Sequence, residues 1–242
     1  MRSTLAAALC ATLALGPALG SGLALAEDAA PPPPWLMTGA DTVTVAVTWA
    51  PEGVAAALPD GVVPVDDLSG GLNIYTAEGG FGISPYSAAY AYVNVKGWPS
   101  AIGAPARYIL GGWYGPDPKV AAGMQTWFGA AVPPGDSAQA ASGDNWTGTG
   151  GGTGVAGDGS IRLEITPTGE CGPAAGTLNY VGPRGESKGL GLLKIPFTGS
   201  FCTAAAVSVD IEAPEGSTLA GLEVTSMLGG GQFKGASFAF AE

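Results

Sequence analysis

Few side chains in this sequence stand out as able to do covalent or proton-transfer chemistry. Lys96 and Lys194 are amines set in apolar runs, Glu78 is an available acid or base, and three cysteines and a concentration of tyrosines complete the set. Histidine is absent from all 242 residues. That removes Ser-His-Asp and Cys-His catalysis, His-ligated zinc and His-ligated haem together. Chemistry therefore falls to carboxylates, lysine, tyrosine or serine. A lysine kept unprotonated by its surroundings can attack a carbonyl carbon and form a Schiff base. Lys96 ends an apolar run just before Gly97, and Lys194 stands within Leu192-Leu193-Lys194-Ile195-Pro196-Phe197. A lone lysine in a strand ordinarily lies on the solvent face, so each is a candidate and no more.

Cys10 lies in the N-terminal apolar run, which leaves Cys171 and Cys202 as a pair. In an oxidising compartment an even pair is most simply a disulfide, adding roughly 3–4 kcal/mol in the chain-entropy model. A metal site built on the same two cysteines has no histidine and no flanking CxxC to complete it. Gly152-Thr153-Gly154-Val155-Ala156-Gly157 fits GxGxxG, but a strand-like run follows where a dinucleotide site needs a helix. Asp144 and Asp158 lack calcium-loop spacing. No metal and no cofactor is expected.

The aromatics Tyr86, Tyr90, Tyr92, Trp98, Tyr108, Trp113, Tyr114, Trp127 and Phe128 fall close together, and the i, i+2 spacing puts Tyr90 and Tyr92 on one strand face. They are either core filling or the wall of an apolar ligand cavity.

The elements that must position these residues are mostly strands. Thr42–Trp49 alternates and is β-branched, and Leu72–Ala77, Ala88–Lys96 and Ala106–Trp113 follow between Gly, Pro and Ser turns. Later strands are expected at Ser160–Thr166, Ala175–Val181, Leu190–Phe197, Ala204–Ile211, Leu219–Met227 and Gln232–Phe240. Pro51 opens a short helix through Leu58, and Asp117–Ala131 has helical spacing of Val120, Met124 and Trp127 or Phe128. Gly143–Gly159, rich in Gly, Thr and Asp, reads as a surface loop. The fold class is mainly β, a closed or nearly closed antiparallel barrel or a sandwich.

Residues 1–26 read as a cleavable export signal: Arg2, an apolar run from Leu5 to about Leu25, and Ala24-Leu25-Ala26 as the cleavage site. The expected location is periplasmic or secreted, with cleavage after Ala26. Residues 27–34 form a Pro-rich extended leader with no means of burying itself, and 35–242 form one domain. Nine basic residues face 20 acidic ones, for a net charge of −11. With no basic stripe, neither nucleic acid nor an anionic membrane is an expected partner, and no stable membrane insertion is expected. The acids are spread singly and serve solubility. Nothing in the chain signals an oligomeric state.

The order of phrases from Thr42 to about Pro134 resembles the acetoacetate decarboxylase family. That family opens with a strand and a short helix ending in Leu-Pro-x-Gly, and Ala57-Leu58-Pro59-Asp60-Gly61-Val62-Val63-Pro64-Val65 reproduces the phrase. Pro85-Tyr86-Ser87-Ala88 through Val95-Lys96-Gly97 follows the family's next strands, and Asp117 through Ala131 looks like its helix. The resemblance implies an acetoacetate-decarboxylase-like antiparallel β-barrel or cone with two short helices. It also implies a lysine pair that forms a Schiff base with a β-keto acid, an enzyme type that already illustrates lysine activation by desolvation and a neighbouring cation.

Carried over residue by residue, that pair falls on Ala131 and Val132, and two pocket carboxylates fall on Asn73 and Ala88. Without the amine the decarboxylation has no covalent step. The expectation is a roomier, less charged pocket that binds a small apolar or uncharged ligand, lined by Asn73, Tyr75, Tyr86, Tyr90, Tyr92, Trp127 and Phe128. Two alternatives remain open. One is a lyase or hydrolase acting on a keto acid with Lys96 or Lys194 as a relocated amine or Glu78 as acid or base; the other is an exported structural or interaction protein.

Overall fold

The computed structural model describes residues 29–100, 102–128, 132–152, 159–183, 189–213 and 216–241. Residues 1–26, expected to be an export signal, together with Ala131, Asp158 and residues 153–157 of the glycine motif, lie outside them.

From Ala29 the Pro-rich leader is described, and it does not stand free. The Trp35 indole Nε1 donates to the Pro31 carbonyl at 2.8 Å, and Ala30 packs into an aromatic core where Gly123 leaves it room. A prolyl segment has no internal hydrogen bonds to satisfy, so one indole and one methyl contact suffice to dock it.

Strand β1 (Trp35–Trp49) leads into α1 (Pro51–Ala57), which Pro51 starts and Pro59 follows. Then come β2 (Ser69–Ala77), β3 (Gly79–Phe81), β4 (Tyr86–Val95), β5 (Ala106–Gly115) and α2 (Pro118–Phe128). The second half is all strand: β6 (Asp136–Ser142), β7 (Asn145–Gly152), β8 (Gly159–Pro183), β9 (Leu190–Glu212) and β10 (Val224–Phe240). The order across the sheet is β5-β4-β2-β1-β10-β9-β8-β7-β6, with β3 on the end of β1. A short parallel seam, Arg107 with Tyr180 and Tyr108 with Val181, joins β5 to β8 and closes the strands from β5 round to β8 into a ring.

The four strands expected between Ser160 and Ile211 are two long ones. Pro167, Gly169, Gly172 and Pro173 read as a break in β8, yet a register shift between Pro167 and Cys171 takes up the first two, and Gly172 and Pro173 resume pairing with Phe201 and Ser200. Proline and extra residues are tolerated at a bulge because the ladder is already interrupted there. Cys171 and Cys202 face each other just beyond the shift and are joined by a disulfide. The bend lets β8 belong to two layers: Ile161, Leu163 and Ile165 cover the outside of the ring, while Leu178 and Tyr180 face its interior.

Two expectations are corrected. Asn145–Gly152, within the stretch read as a surface loop, is strand β7, paired to β6 and β8. Its glycines are what the sheet beneath requires, since a Cβ on Gly148 would press on Val43 and Ile74 and one on Gly150 would meet Ala89 at 2.4 Å. The other concerns Leu219–Met227, where turns occupy residues 216–221 and β10 starts only at Val224; Leu219 is buried from a turn rather than from a strand.

Alternation along β1, β2 and β4 divides the interior. Val43, Val45, Val47, Leu72, Ile74, Ala89, Ala91 and Val93 form an aliphatic core with β8 outside the ring. Tyr86, Ala88, Tyr90 and Tyr92 point the other way, into an aromatic core closed by Val120, Met124 and Phe128 of α2. No described helix is long and apolar enough to cross a membrane.

Candidate ligand cavity

Three lobes that share wall residues lie in the ring and at its β5–β8 seam. The outer lobe, about 560 Å³, is bounded by Asn73, Tyr92 and Arg107 on one side and by Leu178, Phe197, Phe201 and Phe233 on the other. A tight central lobe of about 50 Å³ lies among Tyr75, Tyr86, Tyr90, Tyr114, Tyr180 and Phe238. The third, about 270 Å³, lies against α2, where Met124, Phe128 and Val132 meet Ile109 and Leu193. Thr42, Tyr75 and Phe233 border the outer and central lobes alike.

Strand pairing sets the polar groups. Asn73 and Tyr90 are register partners on β2 and β4, and Asn73 Nδ2 donates to the Tyr90 hydroxyl at 3.1 Å. Tyr75, two residues along β2, stacks parallel to the Tyr90 ring with centroids 6.0 Å apart. The Tyr90 and Tyr180 hydroxyls are 2.9 Å apart, and Arg107 Nη1 donates to Tyr180 at 3.2 Å. The guanidinium lies over the Tyr92 ring, 4.4 Å from its centroid, a cation–π contact that partly offsets the loss of water. Gly71 makes room for Tyr92, since a Cβ there would strike the Tyr92 hydroxyl at 2.7 Å.

Burial pushes the phenols of Tyr86 and Tyr90 well above the ordinary tyrosine value, and those of Tyr75, Tyr92 and Tyr114 upward as well. These side chains are neutral at any physiological pH. Burial works against the charge on Arg107, but a guanidinium stays protonated in a protein. Arg107 is thus a cation set against aromatic rings. Among the described residues the ion pairs are Lys96 with Asp66 and Lys119 with Asp117, so no carboxylate balances it.

Six of the seven expected lining residues come together. Asn73 and Tyr92 border the outer lobe, Tyr86 and Tyr90 the central lobe, Tyr75 both, and Phe128 the α2 lobe. Trp127 is half-buried on α2 and borders none of the three. Ala88 faces the aromatic core between Tyr75 and Tyr114, its cross-strand partners. Val132 borders the α2 lobe; Ala131 lies outside the described residues. The relocated-amine candidates sit elsewhere: Lys96 is exposed and paired to Asp66, Lys194 is exposed on the outside of β9, and Glu78 is exposed.

Arg107 and Tyr180 were missed by the reading from sequence, which also took the pocket to be less charged. A signal for Arg107 was present: it is the one charged residue in β5, a strand otherwise made of aromatic, aliphatic and glycine residues. Nothing local marked Tyr180, which reaches Arg107 across 73 residues of chain.

No family model matches the sequence, and no curated protein matches it. Solved structures do. An acetoacetate decarboxylase from Legionella pneumophila superimposes with a TM-score of 0.65 at 12% identity, over 87% of this chain and 86% of that one. The enduracididine biosynthesis enzyme MppR, complexed with pyruvate, gives 0.62 at 14% identity over 97% and 95%. An acetoacetate decarboxylase-like enzyme from Sphingomonas wittichii RW1 gives 0.54 at 16% over 89% and 91%. The chain has the acetoacetate-decarboxylase-like fold along nearly its whole described length, including the second half, where the sequence resemblance was only a shared richness in strands.

Proposed function

We propose that this is an exported, non-decarboxylating protein of the acetoacetate-decarboxylase-like fold that holds a small, largely apolar molecule in its ring cavity. One observation carries the reading: no lysine and no carboxylate borders the cavity among the described residues, whose walls are mostly aromatic and aliphatic with Arg107 as their one charged side chain. Val132, where the resemblance puts one of the two lysines, is an aliphatic residue of the α2 lobe. An enamine route needs an amine within bonding distance of the substrate carbonyl, and Lys96 and Lys194 are on the outside. Export rests on the Arg2–Ala26 pattern and on the Cys171–Cys202 disulfide, which suits an oxidising compartment. Periplasmic or secreted placement would also remove the protein from cytosolic keto-acid metabolism.

Borohydride trapping tests the reading. Purified protein incubated with acetoacetate and reduced should show an unchanged intact mass. A stoichiometric lysine adduct would restore the lyase reading, and peptide mapping would name the lysine.

A further inference from the structure

The proposed cavity has one charge, and that charge has no counterpart. A guanidinium carries five N–H donors. Arg107 places one on Tyr180 and rests its face on Tyr92, while its side chain borders the outer lobe. Arg107 is half-buried, and even partial loss of water around an unpaired cation is costly, so a fold with only stability to serve would gain from an apolar residue at this point of the seam.

The surrounding polar groups also present surplus donors. In the chain Asn73–Tyr90–Tyr180–Arg107, both ends are donors pointing inward: Asn73 Nδ2 to Tyr90 and Arg107 Nη1 to Tyr180. Between the two phenol oxygens there is one 2.9 Å link. One phenolic proton fills it, so the other has no acceptor within the chain of four and is free to donate elsewhere. Independently, the Thr42 hydroxyl, at 1% exposure, has no hydrogen-bond partner although it borders the outer and central lobes. Unsatisfied buried donors ordinarily find an acceptor.

We infer that the outer lobe is a site for an organic monoanion, a carboxylate with an apolar body, its headgroup on Arg107 and its body against Leu178, Phe197, Phe201 and Phe233. This rests on the proposed ligand-holding role and sharpens it, replacing an uncharged ligand with an amphiphilic one. A single guanidinium balances one negative charge, which disfavours dianions such as phosphate monoesters. The anchor sits on β5 at the ring seam and borders the outer lobe rather than the α2 lobe that Val132 borders. The headgroup is therefore held at the outer lobe and not beside α2.

Calorimetric titration of the disulfide-intact protein with octanoate, decanoate and phenylpropanoate, each beside its primary amide of the same shape, tests the inference. Hydrogen bonds to a charged group predict that at least one carboxylate binds about tenfold or more tighter than its amide. Arg107→Gln should abolish that preference while leaving amide binding in place, and Arg107→Lys, which keeps charge but loses the planar fork, should recover only part of it. Should the Gln variant not fold, the Lys variant and a fall in carboxylate preference with added salt carry the same test. Equal affinity for carboxylates and amides would overturn the anion site and leave the cavity role standing. A preference that survives in Arg107→Gln would overturn Arg107 as the anchor. Failure of every probe to bind would overturn both the anion site and the cavity role.

Discussion

The two faces of β1, β2 and β4 share one backbone and differ in almost everything else. Val43, Val45, Leu72, Ile74, Ala89 and Val93 on the outer face pack with Ile161, Leu163 and Ile165 in one fully buried cluster. Thr42, Asn73, Tyr75, Tyr90 and Tyr92 on the inner face enclose open lobes and carry the hydroxyl chain. Small branched side chains interdigitate to near-crystalline density, whereas large planar rings held by stacking and hydrogen bonds leave gaps that neighbours cannot collapse into. Strand alternation thus separates stability from binding: one face can hold the fold while the other is free to change its chemistry.

That division predicts unequal costs. Leu163→Ala, in the dense outer core, should lose about 2–5 kcal/mol in urea denaturation, whereas Leu178→Ala, on a wall already facing a void, should lose under about 2 kcal/mol. Equal losses would erase the distinction. Serine at both Cys171 and Cys202 should cost roughly 3 kcal/mol. The bridge ties β8 to β9 at the bend, between the part of β8 that covers the outer core and the part that closes the ring, and the two strands remain paired on both sides of it, so denaturation should remain a single transition at lower urea.

Alkali should act on the inner face alone. With the phenols raised by burial, the unfolded chain loses protons above about pH 10 that the native state retains. Stability is therefore full below that pH and falls as pH rises through the native values. Tyrosinate absorbance should lag on titration and then appear together with loss of the strand circular-dichroism signal. Absorbance rising first, with the fold intact, would mean the rings are open to solvent.

Tyr90→Phe keeps the stacked ring and removes the centre of the hydroxyl chain, so it should cost about 1 kcal/mol. Smallest of all, Arg107→Gln should change the melting free energy by less than about 0.5 kcal/mol or raise it, because it removes an unbalanced charge. A large loss would make Arg107 a structural residue and join the two faces in one role.

Much of the first half was readable from the chain. The β-branched alternation of Thr42–Trp49, the proline that opens α1 and the spacing of Val120, Met124 and Phe128 are local signals, and both helices formed within a few residues of their expected limits, while β1 ends at Trp49 as expected but begins at Trp35 rather than Thr42. The order of phrases was enough to indicate the fold, and the i, i+2 tyrosines were enough to place a shared face. In the second half the same rules misled, because Gly148 and Gly150 signal a loop locally and are strand residues only because Val43, Ile74 and Ala89 lie beneath them.

Composition alone settled which chemistries are absent: a chain without histidine performs no histidine catalysis in any fold. Hydrophobic period and cysteine number are likewise carried by the chain itself, since they depend on neighbours a few residues away or on counting. The cavity and its charge are of another kind. Arg107 meets Tyr92 and Tyr180 only because β5 pairs with β4 on one side and closes on β8 on the other. A half-buried cation is defined by what surrounds it, and those surroundings come from strands far apart in the chain that closure of the ring brings together.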